Sequence, residues 1–234
     1  MRIRFKPWAR EELETSPFYI DNPKEYRNKW KTAFENNNEI RLELGCGKGN
    51  FVSQSSIENP NINYIAVDLI DAMLGMAKRN IEVAYGIRKS TDKEEIEDEI
   101  EKQKVVKNIK LVRFDISNIS EILGSDDEIK RIYINFCNPW PKGKHHKKRL
   151  TFDRNLLAYK NFLKGEIYFK TDDDELFNAS LEYFANAGYE IISKTYDLHA
   201  EENFWKDQIN IETEHETMFT AEGIKIKALI AKPK

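Results

Sequence analysis

The run Ile40-Arg41-Leu42-Glu43-Leu44 leads directly into Gly45-Cys46-Gly47-Lys48-Gly49 and then into Asn50-Phe51-Val52. Few architectures accept that order. The residues before the glycines have the length and apolar character of a buried strand, and the residues after them, Asn50–Ile57, suit a short helix. Glycines between the two allow positive φ angles and close approach of backbone to a ligand. Strand, glycine turn and helix in that sequence open a βαβ unit. The alternation then continues. Strands are expected at Asn63–Val67, Ile109–Phe114, Arg131–Phe136 and Glu166–Lys170. A helix is expected from Asp71 to about Ile87, with Met73, Met76, Ala77, Ile81 and Ala84 on one face. Thr151–Leu163 reads as another helix, with Gly165 placed to end it. Asp172-Asp173-Asp174 suits the N-terminus of a helix that runs to about Asn186 and breaks at Gly188. Tyr189–Asp197 and Ile224–Ala231 are late strands, suited to an antiparallel pair at one edge. The expected fold is α/β: a mostly parallel seven-stranded sheet with an antiparallel edge strand and helices on both faces.

Residues 1–38 read as a polar, basic arm, with Arg2, Arg4, Lys6 and Arg10 near its start and Asn36-Asn37-Asn38 as a linker. The main domain is expected over residues 39–234. Within it, residues 88–108 (RKSTDKEEIEDEIEKQKVVKN) read as an exposed charged helical insert. Thirty-seven basic residues against 40 acidic ones give a net charge of −3, so binding to a polyanion has to rest on a local patch. The two cysteines, Cys46 and Cys137, form neither a metal spacing nor a disulfide framework, which suits a reducing compartment. No apolar run approaches the roughly 18 residues of a membrane span, and the N-terminus lacks an apolar signal core. A cytoplasmic protein with no metal is expected; its oligomeric state is not legible.

The glycine spacing bears on the ligand. A dinucleotide loop would read G-x-G-x-x-G and put a pyrophosphate on the helix N-terminus. Here Gly45, Gly47 and Gly49 are two apart, and Glu43 stands two before the first. Asp68 ends the next strand, where an acid holds a ribose diol, and Asp115 ends the one after. Three acids at successive strand ends suit a cofactor carrying positive charge and hydroxyls. S-adenosylmethionine, with a sulfonium, an ammonium, a ribose diol and an adenine, has that chemistry.

A second segment, Ile132 to Leu150 (IYINFCNPWPKGKHHKKRL), opens as a strand and breaks at Asn138-Pro139-Trp140-Pro141. Lys142, Lys144, His145, His146, Lys147, Lys148 and Arg149 follow. An end-of-strand polar group, an aromatic face and a cation cluster together suit chemistry on a base of a polyanion. Trp140 offers a stacking platform or an anchor for the loop; the basic run offers phosphate contacts.

The glycine loop, Asp68, the NPWPKGKHHKKRL run, Phe169-Lys170-Thr171-Asp172 and Thr213-Glu214-His215-Glu216 together resemble the bacterial tRNA (guanine-N7)-methyltransferase family, over about residues 38–234. The resemblance implies a Rossmann-like class I methyltransferase fold, S-adenosylmethionine as donor, and N7 of a guanine in the tRNA variable loop as acceptor. It further implies that Glu43, Asp68, Asp115 and Asn138 contact the cofactor, that Lys142, Asp172 and Thr213, Glu214, His215 and Glu216 contact substrate, and that Lys144–Arg149 contact RNA. Asp172 and Glu216 are candidates for the paired N1–H and 2-amino donors of guanine. Asn138 departs from the family, which usually has Asp at this catalytic position. Asparagine cannot act as a base, but guanine N7 carries a lone pair and no proton, so none is required. Asn138 is expected to position cofactor or guanine through its amide. Two other readings stay open: an amino-group N-methyltransferase, since NPWP is similar to the Asn/Asp-Pro-Pro-aromatic motif, and a catalytically silent RNA-binding protein. A nicotinamide-dependent oxidoreductase is disfavoured by the glycine spacing.

Overall fold

In the computed structural model, which describes residues 4–89, 105–205 and 208–234, the first core strand is β2 (Ile40–Leu44). It lies between β3 (Asn63–Asp68) and β5 (Ile129–Asn135), parallel to both. β4 (Ile109–Arg113) lies beyond β3, and β6 (Leu163–Thr171) beyond β5, again parallel. The chain therefore builds outward from β2 through β3 and β4, then returns to the other side of β2 with β5. That reversal between β2 and β5 opens a crevice at the carboxyl ends of the strands, where open α/β sheets bind ligands.

Among the described residues the sheet has eight strands, ordered β1-β4-β3-β2-β5-β6-β8-β7. The eighth, beyond the seven expected, is the two-residue β1 (Tyr19–Ile20), paired parallel to β4. β7 (Tyr189–Thr195) and β8 (Lys227–Pro233) do form an antiparallel pair at one edge. The antiparallel member is β8, which inserts between β6 and β7, so the outermost strand runs parallel to the majority.

Strand residues alternate between two apolar cores. Ile65, Val67, Ile132, Ile134, Ile167 and Phe169 face one, with Leu156 and Tyr159 of α4 (Asp153–Tyr159) and Leu176, Phe177 and Phe184 of α5 (Asp174–Asn186). Tyr64, Ala66, Leu111, Tyr133 and Tyr168 face the other, with Phe51 and Val52 of α2 (Asn50–Glu58) and Leu74, Ala77 and Ile81 of α3 (Asp71–Ala84). Period-two alternation on a sheet covered on both faces accounts for this division.

Several expectations change. The helix placed at Thr151–Leu163 is only Asp153–Tyr159, and Leu163 already belongs to β6. Gly165 does not end a helix. It lies inside β6 beside an irregular register with β5, and a Cβ there would sit 2.0 Å from the Lys130 carbonyl oxygen. Asp173, not Asp172, caps α5, its Oδ1 accepting the Leu176 N–H at 2.6 Å. The polar first 38 residues do not stand clear of the core. Ala9 and Leu13 of α1 (Pro7–Glu14) are buried, as are Phe18, Trp30 and Phe34. The Asn36–Asn38 stretch is tied down as well, since Asn63 Nδ2 donates to Asn36 Oδ1 at 2.7 Å. Most of the charged insert, residues 90–104, lies outside the described residues.

Candidate active site

The glycine loop is built by backbone geometry. Gly45, Gly47 and Gly49 have φ of +81°, +53° and +74°, a region L side chains rarely adopt. The loop is pinned at its base, where Gly45 and Cys46 donate N–H bonds to the Val67 carbonyl at 2.9 and 3.0 Å. From α3, Asn80 Nδ2 holds the Lys48 carbonyl at 2.9 Å. A Cβ at Gly49 would approach Ala77 Cβ to 2.7 Å, so loop and helix pack backbone to backbone.

Three acids stand at the strand ends, each in a different state. Glu43 is 2% exposed; its Oε1 accepts from Asn135 Nδ2 at 3.2 Å, and its Oε2 has no protein partner. Burial pushes the Glu43 carboxyl up to about 8, opposed by the Asn135 bond and the Lys170 charge. Asp68 accepts the Gly47 N–H on Oδ2 and the Ile70 N–H on Oδ1, both at 3.0 Å. Burial raises its carboxyl, and those N–H donors restrain the rise. Asp115 is exposed and caps the turn after β4, its Oδ1 accepting from Ser117 N–H at 2.9 Å and Ser117 Oγ at 2.7 Å.

The acids line one crevice with two lobes. The smaller, about 210 Å³, is walled by Glu43, the glycine loop, Asp68, Asn135 and Phe136, and is covered by Thr213, Glu214 and His215. The larger, about 700 Å³, shares Gly45, Asp68, Ile70 and Phe136 with it and extends past Asp115 and Ile116 to Asn138, Trp140, Lys147, Lys148 and Arg154. The larger lobe falls within the range of roughly 300–1,000 Å³ usual for small-molecule sites. A partnerless buried carboxylate oxygen beside an open glycine cradle fits a cationic ligand, and Asp68 beyond it fits a diol. The residues present therefore suit S-adenosylmethionine.

The loop after β5 is strained and internally braced. Phe136 and Trp140 have φ of +50° and +45°, unusual for residues with side chains. Asn138 is exposed and lines the larger lobe, and its Oδ1 accepts the Trp140 N–H at 3.0 Å, leaving the amide N–H donors without a protein partner among the described residues. His145 stacks on Trp140 at 5.7 Å, and the Lys148 ammonium sits 4.8 Å from its ring centroid, so this tryptophan is already packed within its loop. Lys142, Lys144, Lys147 and Lys148 are exposed, while His146 Nε2 lies 3.4 Å from Glu175 Oε1.

Two expected contacts move to other roles. Arg149 does not join the exposed run. It is 1% exposed, its Nε donating to the Pro139 carbonyl and its Nη2 to Glu175, both at 2.7 Å, so it closes the NPWP loop from inside. Glu216 does not face the crevice. It is fully buried in α6 (Glu214–Ala221), paired with the Lys170 ammonium, and accepts from Asn210 Nδ2 at 2.8 Å. It also forms a reciprocal cap with Thr213, whose Oγ1 accepts the Glu216 N–H at 3.1 Å. Glu214 reaches back over the smaller lobe, both carboxylate oxygens 2.7 Å from Lys48 Nζ. His215 is exposed beside Phe136, with ring centroids 6.3 Å apart. Asp172 is half-buried, burial raises its carboxyl, and its carbonyl accepts from Lys227 Nζ at 2.9 Å.

Sequence reasoning missed Asn135 and, although it quoted Lys170 within the FKTD run, gave that residue no role. Both are polar residues at the ends of apolar strands, which was the available signal. The threonine-to-glutamate spacing of Thr213 and Glu216 was likewise a local sign of a capping box.

A family described as "Putative methyltransferase" matches residues 37–229. A tRNA (guanine-N(7)-)-methyltransferase of Clostridium beijerinckii is 56% identical over 99% of this chain and 98% of its own length. Proteins of the same name from Clostridium perfringens and Clostridium tetani are 52% and 50% identical, over 99% and 100% of this chain and 99% and 100% of their own lengths. This chain belongs to the tRNA (guanine-N7)-methyltransferase family. Members of that family are methyltransferases, and the fold agrees. Solved structures of an antibiotic-related methyltransferase (TM-score 0.57, 16% identity, 91% of this chain and 94% of that one) and of the 16S rRNA methyltransferase KamB (0.54, 13%, 97% and 94%) share it. Among the described residues no helix is long and apolar enough to cross a membrane, and no group of acids, histidines and cysteines is set to hold a metal.

Proposed function

We propose that this protein transfers a methyl group from S-adenosylmethionine to N7 of a guanine in the variable loop of cytoplasmic tRNA. The observation that carries the reading is the single crevice whose wall runs from Glu43 and the glycine loop, past Asp68 and Asp115, to Asn138 and the lysines of the NPWP loop. The names of the relatives point to the same reaction.

The cofactor supplies an electrophilic methyl on a sulfonium. Glu43 is suited to its ammonium, because Oε2 is a dry acceptor without a partner. Asp68 keeps free lone pairs for a ribose diol while Gly47 and Ile70 fix its rotamer. Ile70 and Ile116 offer apolar flanks for an adenine, with Asp115 beside them. Guanine N7 needs no deprotonation, so alignment and electrostatics can supply most of the catalysis. Asn138 suits that task, being a hydrogen-bonding group that cannot take a proton. Asp172 is the remaining candidate for the N1–H and 2-amino edge, now that Glu216 is engaged elsewhere. Methyl transfer leaves positive charge on the purine and acidifies N1–H, so a carboxylate there binds the transition state more tightly than the ground state.

The test is methylation of bulk unmodified tRNA with labelled donor, followed by mapping of the modified nucleoside. N7-methylguanosine in the variable loop is expected from the wild type. A methylated exocyclic amine would favour the N-methyltransferase reading. A wild type that stays inactive until Asn138→Asp restores turnover would overturn the role given to Asn138.

A further inference from the structure

We propose that Arg154 is a phosphate-binding residue at the crevice rim, holding the RNA backbone beside the guanine under attack. The proposal rests on the tRNA reading above. Arg154 lies in the first turn of α4, outside the 144–149 basic run, and its side chain is exposed. It lines the larger lobe together with Trp140, Lys147 and Lys148. Arg149 and Arg154 divide the work that a linear reading assigns to one of them. Arg149 is internal, bonded to the Pro139 carbonyl and Glu175. Arg154 has no hydrogen-bond or ion-pair partner among the described residues, unlike Arg10, Arg79 and Arg88, each of which holds a carboxylate.

The backbone that carries Arg154 is fixed. Its neighbour Asn155 is buried and donates from Nδ2 to the Arg149 carbonyl at 2.8 Å, while Leu156 and Tyr159 are fully buried in the core. An unpaired guanidinium is thus presented from a rigid element. Asp115 lines the same lobe, but Ser117 engages its carboxylate. An enzyme acting on a base reaches it in a single-stranded loop or flips it out of its stack, and either way the flanking phosphates come to the crevice mouth. Lys147 and Lys148 face that mouth from the NPWP loop, and Arg154 faces it from α4. A planar guanidinium grips a phosphate with two parallel N–H bonds, a geometry an ammonium cannot match.

The test uses the full-length protein, unmodified tRNA and a sodium chloride series, with binding followed by fluorescence anisotropy. For Arg154→Gln, the dissociation constant should rise about three- to tenfold at low salt, and the log–log salt slope should shrink by about 0.7–0.9. Arg154→Lys should keep the slope and recover part of the affinity. KM for tRNA should rise with kcat nearly unchanged. S-adenosylmethionine binding by calorimetry and the melting temperature should stay at wild-type values. A Gln variant with wild-type affinity and slope overturns the proposal. So does a loss of tRNA affinity matched by a loss of cofactor binding or a lower melting temperature, which marks a structural role. A wild type that fails to bind tRNA in a salt-dependent way sinks the substrate reading itself, so the two failures are distinguishable.

Discussion

Glu43 shows how a single residue can be legible in type and illegible in state. Its place two residues before the first glycine makes it a candidate cofactor contact. Nothing in the sequence shows that its carboxyl is fully dry, with one oxygen on Asn135 and the other unpartnered. A carboxyl held at about 8 keeps a proton in the folded protein that the unfolded chain has already lost above its ordinary value of 4.5. The folded state therefore binds more protons between those values, and the stabilisation from that proton is lost as pH rises from about 4.5 to 8. Glu43→Gln should remove this dependence. Its melting temperature should exceed that of the wild type most at pH 8, by the equivalent of a few kcal/mol, and least at pH 5. The same variant should bind S-adenosylmethionine at least about tenfold more weakly, because Glu43 can shed its proton to become a counter-charge when the ammonium binds and glutamine cannot. Thermal scans at the two pH values with calorimetric titration check both halves; a variant equally stable and equally tight sinks the assignment. Asp68 was easier to read, since a strand-end acid needs only local geometry to face the loop. Arg149 was harder, because five neighbours in a basic run look alike until the fold buries one of them.

α6 does not stand out as a helix in the sequence, although its N-terminal residues stand out as a motif. The reason is physical. Thr213-Glu214-His215-Glu216 mixes a capping signal with residues over the crevice, and the two uses are superposed on one turn. Glu214 and His215 face the smaller lobe, while Thr213 and Glu216 cap each other and Glu216 pairs with Lys170 beneath. This pair fastens α6 to β6, so it sets the height of the cover over the smaller lobe. Removing one partner strands a buried charge, at a cost of about 3–5 kcal/mol. Glu216→Ala should therefore lower stability by that order in urea denaturation. The double variant Lys170→Met, Glu216→Leu should recover much of the loss, since no charge is then left unpaired. If Glu216 reads guanine instead, its alanine variant will unfold like the wild type and show only a raised KM for tRNA. β6 carries a similar lesson. Apolar periodicity extended the helix before it to Leu163, but Gly165 is required by the approach of the Lys130 carbonyl in the sheet, a contact between segments 35 positions apart.

At the scale of the molecule, the first 38 residues change most between sequence and structure. Their charge suggested an arm, yet Trp30 is wholly buried, its Nε1 donating to the Ile122 carbonyl at 2.7 Å. The Asp127 carboxylate gathers the N–H groups of Asn28, Trp30 and Gly124 at 2.9, 3.0 and 2.8 Å, joining the segment to the turn before β5. Deleting residues 1–38 would leave that carboxylate short of two donors and open both cores. The truncated chain should lose cooperative thermal unfolding by circular dichroism; a cooperative transition near the wild-type temperature would restore the view of a detachable arm. The order of strands and helices from β2 to β7, the glycine loop and the acids beside it were set by the sequence alone, because period, turn chemistry and strand-end position are properties of short segments. The tertiary structure alone decided which arginine meets solvent, which glutamate is buried and where the first 38 residues lie. Those outcomes depend on burial and on partners in other elements, 26 positions away for Arg149 and Glu175, 46 for Lys170 and Glu216 and 99 for Asn28 and Asp127, and no local pattern encodes them.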